Sequence, residues 1–305
     1  MARVFLNQLR NQTLDGPTPG RIMRFFGVRR SGNHAVIDWI MSNLPDTNHI
    51  HFNTVGIGGR LNAAKAITVN GQELRQIAMS PTDMERFEED KKRADVVTIF
   101  YEDQPLRQVL KFAERITPDY DPYRPVYTDI IIRRSFLNWI ASVYQHPKKF
   151  GLGEHHSVGT YATIFRSIEA WKHLLLAESG DIGMFKGAVV LSYDEWLQSS
   201  DYRSKFLSTL HIEPRNLELP DRMSHYGGGS SFESDDRKNR SDITSLLKRI
   251  NVVSEMPGFL RMLDLVLSDP EVEELLAKRE PDQLAKAKKL QSKWRSHLAD
   301  GEQAA

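Results

Sequence analysis

Cysteine is absent from the 305 residues, which removes disulfides, thiolate zinc sites and cysteine nucleophiles at once and fits a reducing compartment. Excess charge of either sign is missing too: 41 Lys and Arg face 40 Asp and Glu, a formal net charge of +1. Such a surface does not attract a polyanion as a whole, so no nucleic-acid partner is expected and any anion recognition must be local. There is no run of about 18 apolar residues, and the opening MARVFLNQLRNQTLDG lacks the apolar stretch of a secretory signal. A soluble, cytoplasmic chain without a membrane partner is the expectation. Repeats and low-complexity tracts are also lacking. His155 and His156 are adjacent rather than spaced at i and i+4, and no H-E-x-x-H frame exists, so no metal is expected.

What is present is a recurring strand-then-helix signal. Residues 21–44 read RIMRFFGVRRSGNHAVIDWIMSNL: an apolar, aromatic run over 22–28 predicts a buried strand, and Val36, Ile37, Ile40, Met41 and Leu44 then recur at helical spacing. Between them lies a loop with Gly27, Arg29, Arg30, Ser31 and Gly32. Backbone N–H groups of such a loop, with the helix N-terminus behind them, suit an anion, and the helix dipole alone contributes about 0.3–1 kcal/mol. The two arginines add charge that cannot be titrated off. The glycine spacing is that of the ATP-binding loop G-x-x-x-x-G-K-[ST], but Asn33 and His34 stand where its Lys and its metal-binding hydroxyl would be. A phosphate cradle without a magnesium ligand is what remains.

Further strands are expected over 48–55, 96–101, 130–132 and 188–192, with helices over 83–93, 106–116, 161–175, 243–267, 271–279 and 281–298. The alternation predicts an α/β fold, a central mostly parallel sheet flanked by helices. Residues 56–75 carry few apolar anchors and read as a long loop, as do 117–127, 146–160 and the Gly- and Ser-rich stretch 224–242. One domain over 1–280 with a polar C-terminal helix and tail over 281–305 accounts for the length. The sparse seam of Leu284, Leu290, Trp294 and Leu298 suits folding back or pairing with a second copy, so a homo-oligomer is open.

A second chemical constellation is DIIIRRSFLNWIASVY, 129–144. Arg134 follows a short apolar strand, and Ser142 comes eight residues later, about two helical turns along. Ligands of open α/β sheets bind outside the carboxyl ends of strands, which makes this a second anion site beside a helix N-terminus.

Together the two segments resemble the PAPS-dependent sulfotransferases (PAPS is 3′-phosphoadenosine-5′-phosphosulfate), in which a basic residue precedes Ser-Gly-Thr in a 5′-phosphosulfate loop. An Arg at a later strand end and a Ser eight residues on bind the 3′-phosphate in that family. Arg30 falls at the family's lysine and Asn33 at its Thr. The resemblance spans about residues 21–242 in motif order and implies a P-loop-like sulfotransferase architecture. It also implies metal-free in-line transfer of a sulfuryl group from PAPS to a small-molecule or saccharide acceptor. The residues it puts at the donor are Arg29, Arg30, Ser31, Gly32, Asn33, His34, Arg134 and Ser142. It adds Tyr193, at a strand end matching the family's adenine-side Tyr, and Arg237 and Lys238, matching a late Arg-Lys-Gly loop. The family's base position, a His after the third strand signal, falls on Asp103, with Glu102 before it; Glu102, Asp103, His51 and His34 all stand as candidate bases, and Arg30 as the charge at the bridging oxygen. A P-loop nucleotide kinase or NTPase, or a non-catalytic nucleotide-binding protein, is the alternative for the same cradle.

Overall fold

The computed structural model describes residues 20–44, 47–56, 64–74, 85, 87, 89–90, 93–104, 127–145, 158–182, 185–220 and 246–303. The chain is α/β, with a mostly parallel sheet and flanking helices. Its strands are β1 (Arg21–Gly27), β2 (His49–Asn53), β3 (Ala66–Val69), β4 (Gln72–Leu74), β5 (Val96–Glu102), β6 (Tyr127–Arg133) and β7 (Val189–Ser192), in the order β4-β3-β2-β5-β1-β6-β7. The jumps in that order are crossovers, the connection parallel strands require. β2 runs parallel to β5 with Ile50 opposite Val97 and Phe52 opposite Ile99.

The stretch expected as a loop over 56–75 differs: β3 and β4 form a hairpin, antiparallel to each other, and β3 is antiparallel to β2. Its turn is Asn70-Gly71, with φ of 48° and 80°. Two consecutive left-handed residues are what a two-residue hairpin turn of the right twist demands, and Asn-Gly is its strongest sequence signal. That dipeptide was the legible cue, outweighed by the poverty of apolar residues around it.

The helices, with bounds, are α1 (Asn33–Ser42), α2 (Phe136–Gln145), α3 (Val158–Glu178), α4 (Tyr193–Gln198), α5 (Ser200–Thr209), α6 (Arg249–Val253), α7 (Pro257–Leu267), α8 (Pro270–Arg279) and α9 (Pro281–Gln303). The helix expected over 243–267 is interrupted, because Pro257 opens α7 as an N-terminal proline and its ring disfavours a helical conformation in the residue before it. Expected elements over 106–116 and the loops over 146–157 and 224–242 lie outside the described residues, and so do Arg237 and Lys238.

The chain divides into two compact units: one takes Met1–Phe25, Pro45–Glu102 and Gln108–Ile130, the other Phe26–Leu44, Asp103–Arg107 and Ile131–Ala305. In the first, Ile22, Phe25, Ile50, Phe52, Val97, Ile99 and Phe100 make the core, with Phe87 edge-on to Phe52. A bidentate pair, Arg24 Nε to Asp129 at 2.6 Å and Nη2 at 2.7 Å, lies beneath the Tyr127 ring. In the second, α2 is buried over nearly its whole length. Trp139 stacks on Trp171 of α3, with centroids 5.8 Å apart. The polar helix α9 packs on α7 and α8, and its buried Gln291 donates to Asp264.

Candidate functional site

The loop between β1 and α1 turns through two left-handed residues, Arg30 at φ 68° and Gly32 at φ 82°. Gly32 is required twice over, since a Cβ there would sit 2.0 Å from Cε2 of the Tyr193 ring. At Gly27 a Cβ would meet Asn33 Oδ1 at 2.2 Å.

The carbonyls of Gly27, Val28, Arg29, Arg30 and Gly32 are bound by the protein itself. Gly27 O accepts from Asp103 N at 3.1 Å, and Val28 O from Asn33 Nδ2 at 2.9 Å and Ser31 N at 3.3 Å. Arg29 O accepts from Trp139 Nε1 at 3.0 Å, Arg30 O from Arg134 Nη1 at 3.2 Å, and Gly32 O from Val36 N at 3.2 Å. With these acceptors engaged, the donors at the start of α1 are what the segment can offer a ligand; the first N–H groups of a helix have no carbonyl within it. α1 has no side-chain cap and no acidic residue in its first turn, so its positive end is not neutralised by its own sequence. This is the arrangement of an anion nest.

The expected residues fall as follows. Ser31 Oγ is fully buried and has no hydrogen-bond partner among the described residues. Asn33 turns its amide back to Val28, which leaves its backbone N–H as its contribution at the first helical position. His34 is half-buried in the first turn of α1 and does not cap it. Asp103, left-handed at φ 51°, accepts from Arg29 N at 2.8 Å, from Arg29 Nε, and from Ser167 Oγ at 3.3 Å. Glu102, the last residue of β5, is half-buried. His51 is buried within β2, its Nδ1 2.8 Å from Thr98 Oγ1. The Thr98 hydroxyl also lies 3.4 Å from Ile50 O.

Arg134 is buried, with Nη2 donating to Leu246 O at 2.5 Å and its guanidinium 5.2 Å over the Tyr193 ring. Burial draws its pKa down, and Tyr193 and Asp194 oppose that; a guanidinium remains cationic regardless. Four residues on, Asn138 Nδ2 donates to Leu247 O at 2.6 Å. Four further, the buried Ser142 Oγ accepts from Arg249 Nη1 at 2.7 Å. Asn138 and Ser142 therefore share one face of α2, Arg134 stands just before that helix, and all three meet residues 246–249. Sequence reasoning missed Arg249 and Asn138. Arg249 sat inside what read as a continuous amphipathic helix, and no local signal separates it from a surface cation.

One expectation at this place is corrected. The N-terminus of α2 does not offer free donors to an anion, because Ser135 N is taken by Asp194 Oδ2 at 2.6 Å, Phe136 N by Glu280 Oε2 at 2.9 Å and Leu137 N by Gln283 Oε1 at 3.3 Å. The positive helix end is already satisfied by two carboxylates and an amide oxygen. Tyr193 is likewise enclosed: its ring stacks on Trp196 at 5.4 Å and 28°, Arg134 lies over it, and its edge abuts Gly32. Among the described residues no group of three or more His, Asp or Glu could hold a metal ion, and no helix is long and apolar enough to cross a membrane.

Compared with protein-family models, curated proteins and solved structures, the chain matches none.

Proposed function

We propose that this protein is a sulfotransferase that uses PAPS as donor and a hydroxyl or amine of a small molecule or saccharide as acceptor. The observation that carries the reading is the coupling of two anion-binding clusters through one buried side chain. Arg134 bonds the carbonyl of Arg30 in the cradle and, with Asn138 and Ser142, meets residues 246–249. A donor with one anionic group at its 5′ end and another at its 3′ position matches two such clusters in kind. Of the buried atoms without partners among the described residues, Ser31 Oγ in the cradle and Arg134 Nε in the second cluster are donors, the type a phosphate requires, while Asn33 Oδ1 and Asn138 Oδ1 are acceptors that a phosphate would not satisfy.

PAPS would supply a sulfuryl group already activated on a phosphate oxygen. On this reading the N–H groups at the start of α1, with Ser31, hold the 5′ end, and Arg134, Ser142 and Arg249 hold the 3′-phosphate. Arg30 supplies fixed positive charge to the oxygen that gains charge as its bond to sulfur breaks, the electrostatic role preorganised donors perform best. Against a kinase or NTPase stand Asn33, which takes the place of the lysine and commits its amide to Val28 O, and His34, which offers no hydroxyl to magnesium. A non-catalytic nucleotide-binding protein is the second reading, favoured by the engagement of Asp103 and the enclosure of His51, which leaves fewer groups to act as base.

Calorimetry decides between donor classes. Adenosine 3′,5′-bisphosphate (PAP), the expected product, should bind without magnesium and more tightly than ATP. Magnesium-dependent binding of ATP in preference to PAP would overturn the reading.

A further inference from the structure

Asp103 stands where the base of the resembled family would be, yet its surroundings point elsewhere. Its side chain is only 5% exposed. One oxygen accepts from the backbone N–H of Arg29, the other from Arg29 Nε and from Ser167 Oγ. Its own N–H donates to Gly27 O. One residue thus grips the cradle turn on both sides, at Gly27 and at Arg29, and binds backbone and side chain of the same arginine. The left-handed conformation at Asp103 costs about 1–2 kcal/mol, although Asp is among the residues that tolerate it. Ser167, which is fully buried in α3, sets its hydroxyl 3.3 Å from the Asp103 carboxylate and 3.1 Å from Thr163 O, two acceptors for its one proton.

The consequence falls on Arg29. A guanidinium has five N–H donors in a fixed fork, and Asp103 takes only Nε. Neither terminal nitrogen of Arg29 bonds another described residue, and its side chain is 27% exposed. A long cation anchored at Nε loses most of its rotamers before any ligand arrives, so less freedom is lost when its remaining donors bind an anion.

We infer that Asp103 is a positioning residue, supported by Ser167, that fixes Arg29 as a preorganised anion ligand of the cradle and does not act as the base. The inference deepens the donor-site reading above and rests on it for the identity of the anion. The anchoring itself is independent of that identity.

Two measurements separate these layers. In the ligand-free protein, the Arg29 Nε–H resonance, identified by its loss in Arg29→Lys, should be shifted downfield and protected from exchange; Asp103→Asn should abolish both features and Ser167→Ala should weaken the protection. In calorimetry with PAP, Asp103→Asn and Arg29→Met should each lose about 10-fold or more in affinity, the scale of one charge-assisted hydrogen bond. The double variant should bind no worse than Arg29→Met alone, because the two act through one contact. Losses that multiply, or a PAP affinity untouched in Asp103→Asn, would overturn the inference; so would an unprotected Arg29 Nε–H in the wild type. If Asp103→Asn fails to fold, Ser167→Ala carries the test, with an unchanged resonance and affinity counting against it. A wild type that binds no PAP refutes the donor-site reading, and with it the ligand role of Arg29, while the resonance still decides the anchoring.

Discussion

Arg30 keeps a backbone conformation that costs a non-glycine residue about 1–2 kcal/mol. Glycine would adopt it freely but would gain freedom in the unfolded chain, a cost of similar size. Arg30→Gly should therefore stay within about 1 kcal/mol of wild-type stability in denaturant melts. If the guanidinium serves the bridging oxygen, the same variant should lose turnover far more than PAP affinity, measured as PAP released from PAPS once an acceptor is found. Equal loss in both would make Arg30 a binding residue only. The neighbouring Gly32 has no such latitude, since the Tyr193 ring occupies the place of its Cβ.

At the scale of elements, the N-terminus of α2 is closed by groups from distant parts of the chain, and Glu280 is the chief of them. Its carboxylate accepts from Phe136 N and pairs with Arg133 at 3.3 Å. Burial raises its pKa above the ordinary glutamate value; the Phe136 N–H and Arg133 oppose that, while Asp194 and Glu178 add to it. A group whose folded pKa is raised contributes stability that is fully present below the unfolded pKa and is lost as pH rises through the folded one. The unfolding free energy of wild type minus that of Glu280→Gln should thus increase as pH falls from the raised value towards the ordinary one. A difference that is flat across that interval, or that decreases, would show that Glu280 is not the group titrating there.

The elements also show what a sequence makes legible. The cradle could be read in advance because strand, glycine loop and helix are contiguous, and the period of Val36, Ile37 and Ile40 declares the helix. Arg134 and Ser142 were visible for the same local reason. What fixes these groups is not local. Asp103 reaches Arg29 across 74 positions, Trp139 reaches the same residue's carbonyl across 110, and Arg249 meets Ser142 across 107. Periodicity carries no information on such pairings, and a buried Arg in a short helix has the same sequence signature as an exposed one. The hairpin over β3 and β4 was missed for the opposite reason, a strong local turn signal flanked by strands too short to show alternation.

At the scale of the molecule, the cradle, Asp103, α2, Tyr193 and Arg249 all belong to one compact unit, so the proposed donor site is built within a single body. His51 and Glu102 belong to the other, and of the two only Glu102 has a side chain that is not deeply buried. The central claim is that the Arg134, Ser142 and Arg249 cluster binds a phosphate that only the 3′ position of the nucleotide supplies. Arg134 also props the Arg30 carbonyl, so its removal would disturb both ends at once, and Arg249 is the cleaner probe. The most direct measurement is the ratio of affinities for PAP and adenosine 5′-monophosphate, taken by calorimetry in the wild type and in Arg249→Met. The account predicts that the wild type favours PAP by about 10- to 100-fold and that Arg249→Met loses most of this preference at unchanged affinity for the monophosphate. Equal affinities in the wild type, or a preference for PAP that survives in the variant, would contradict it.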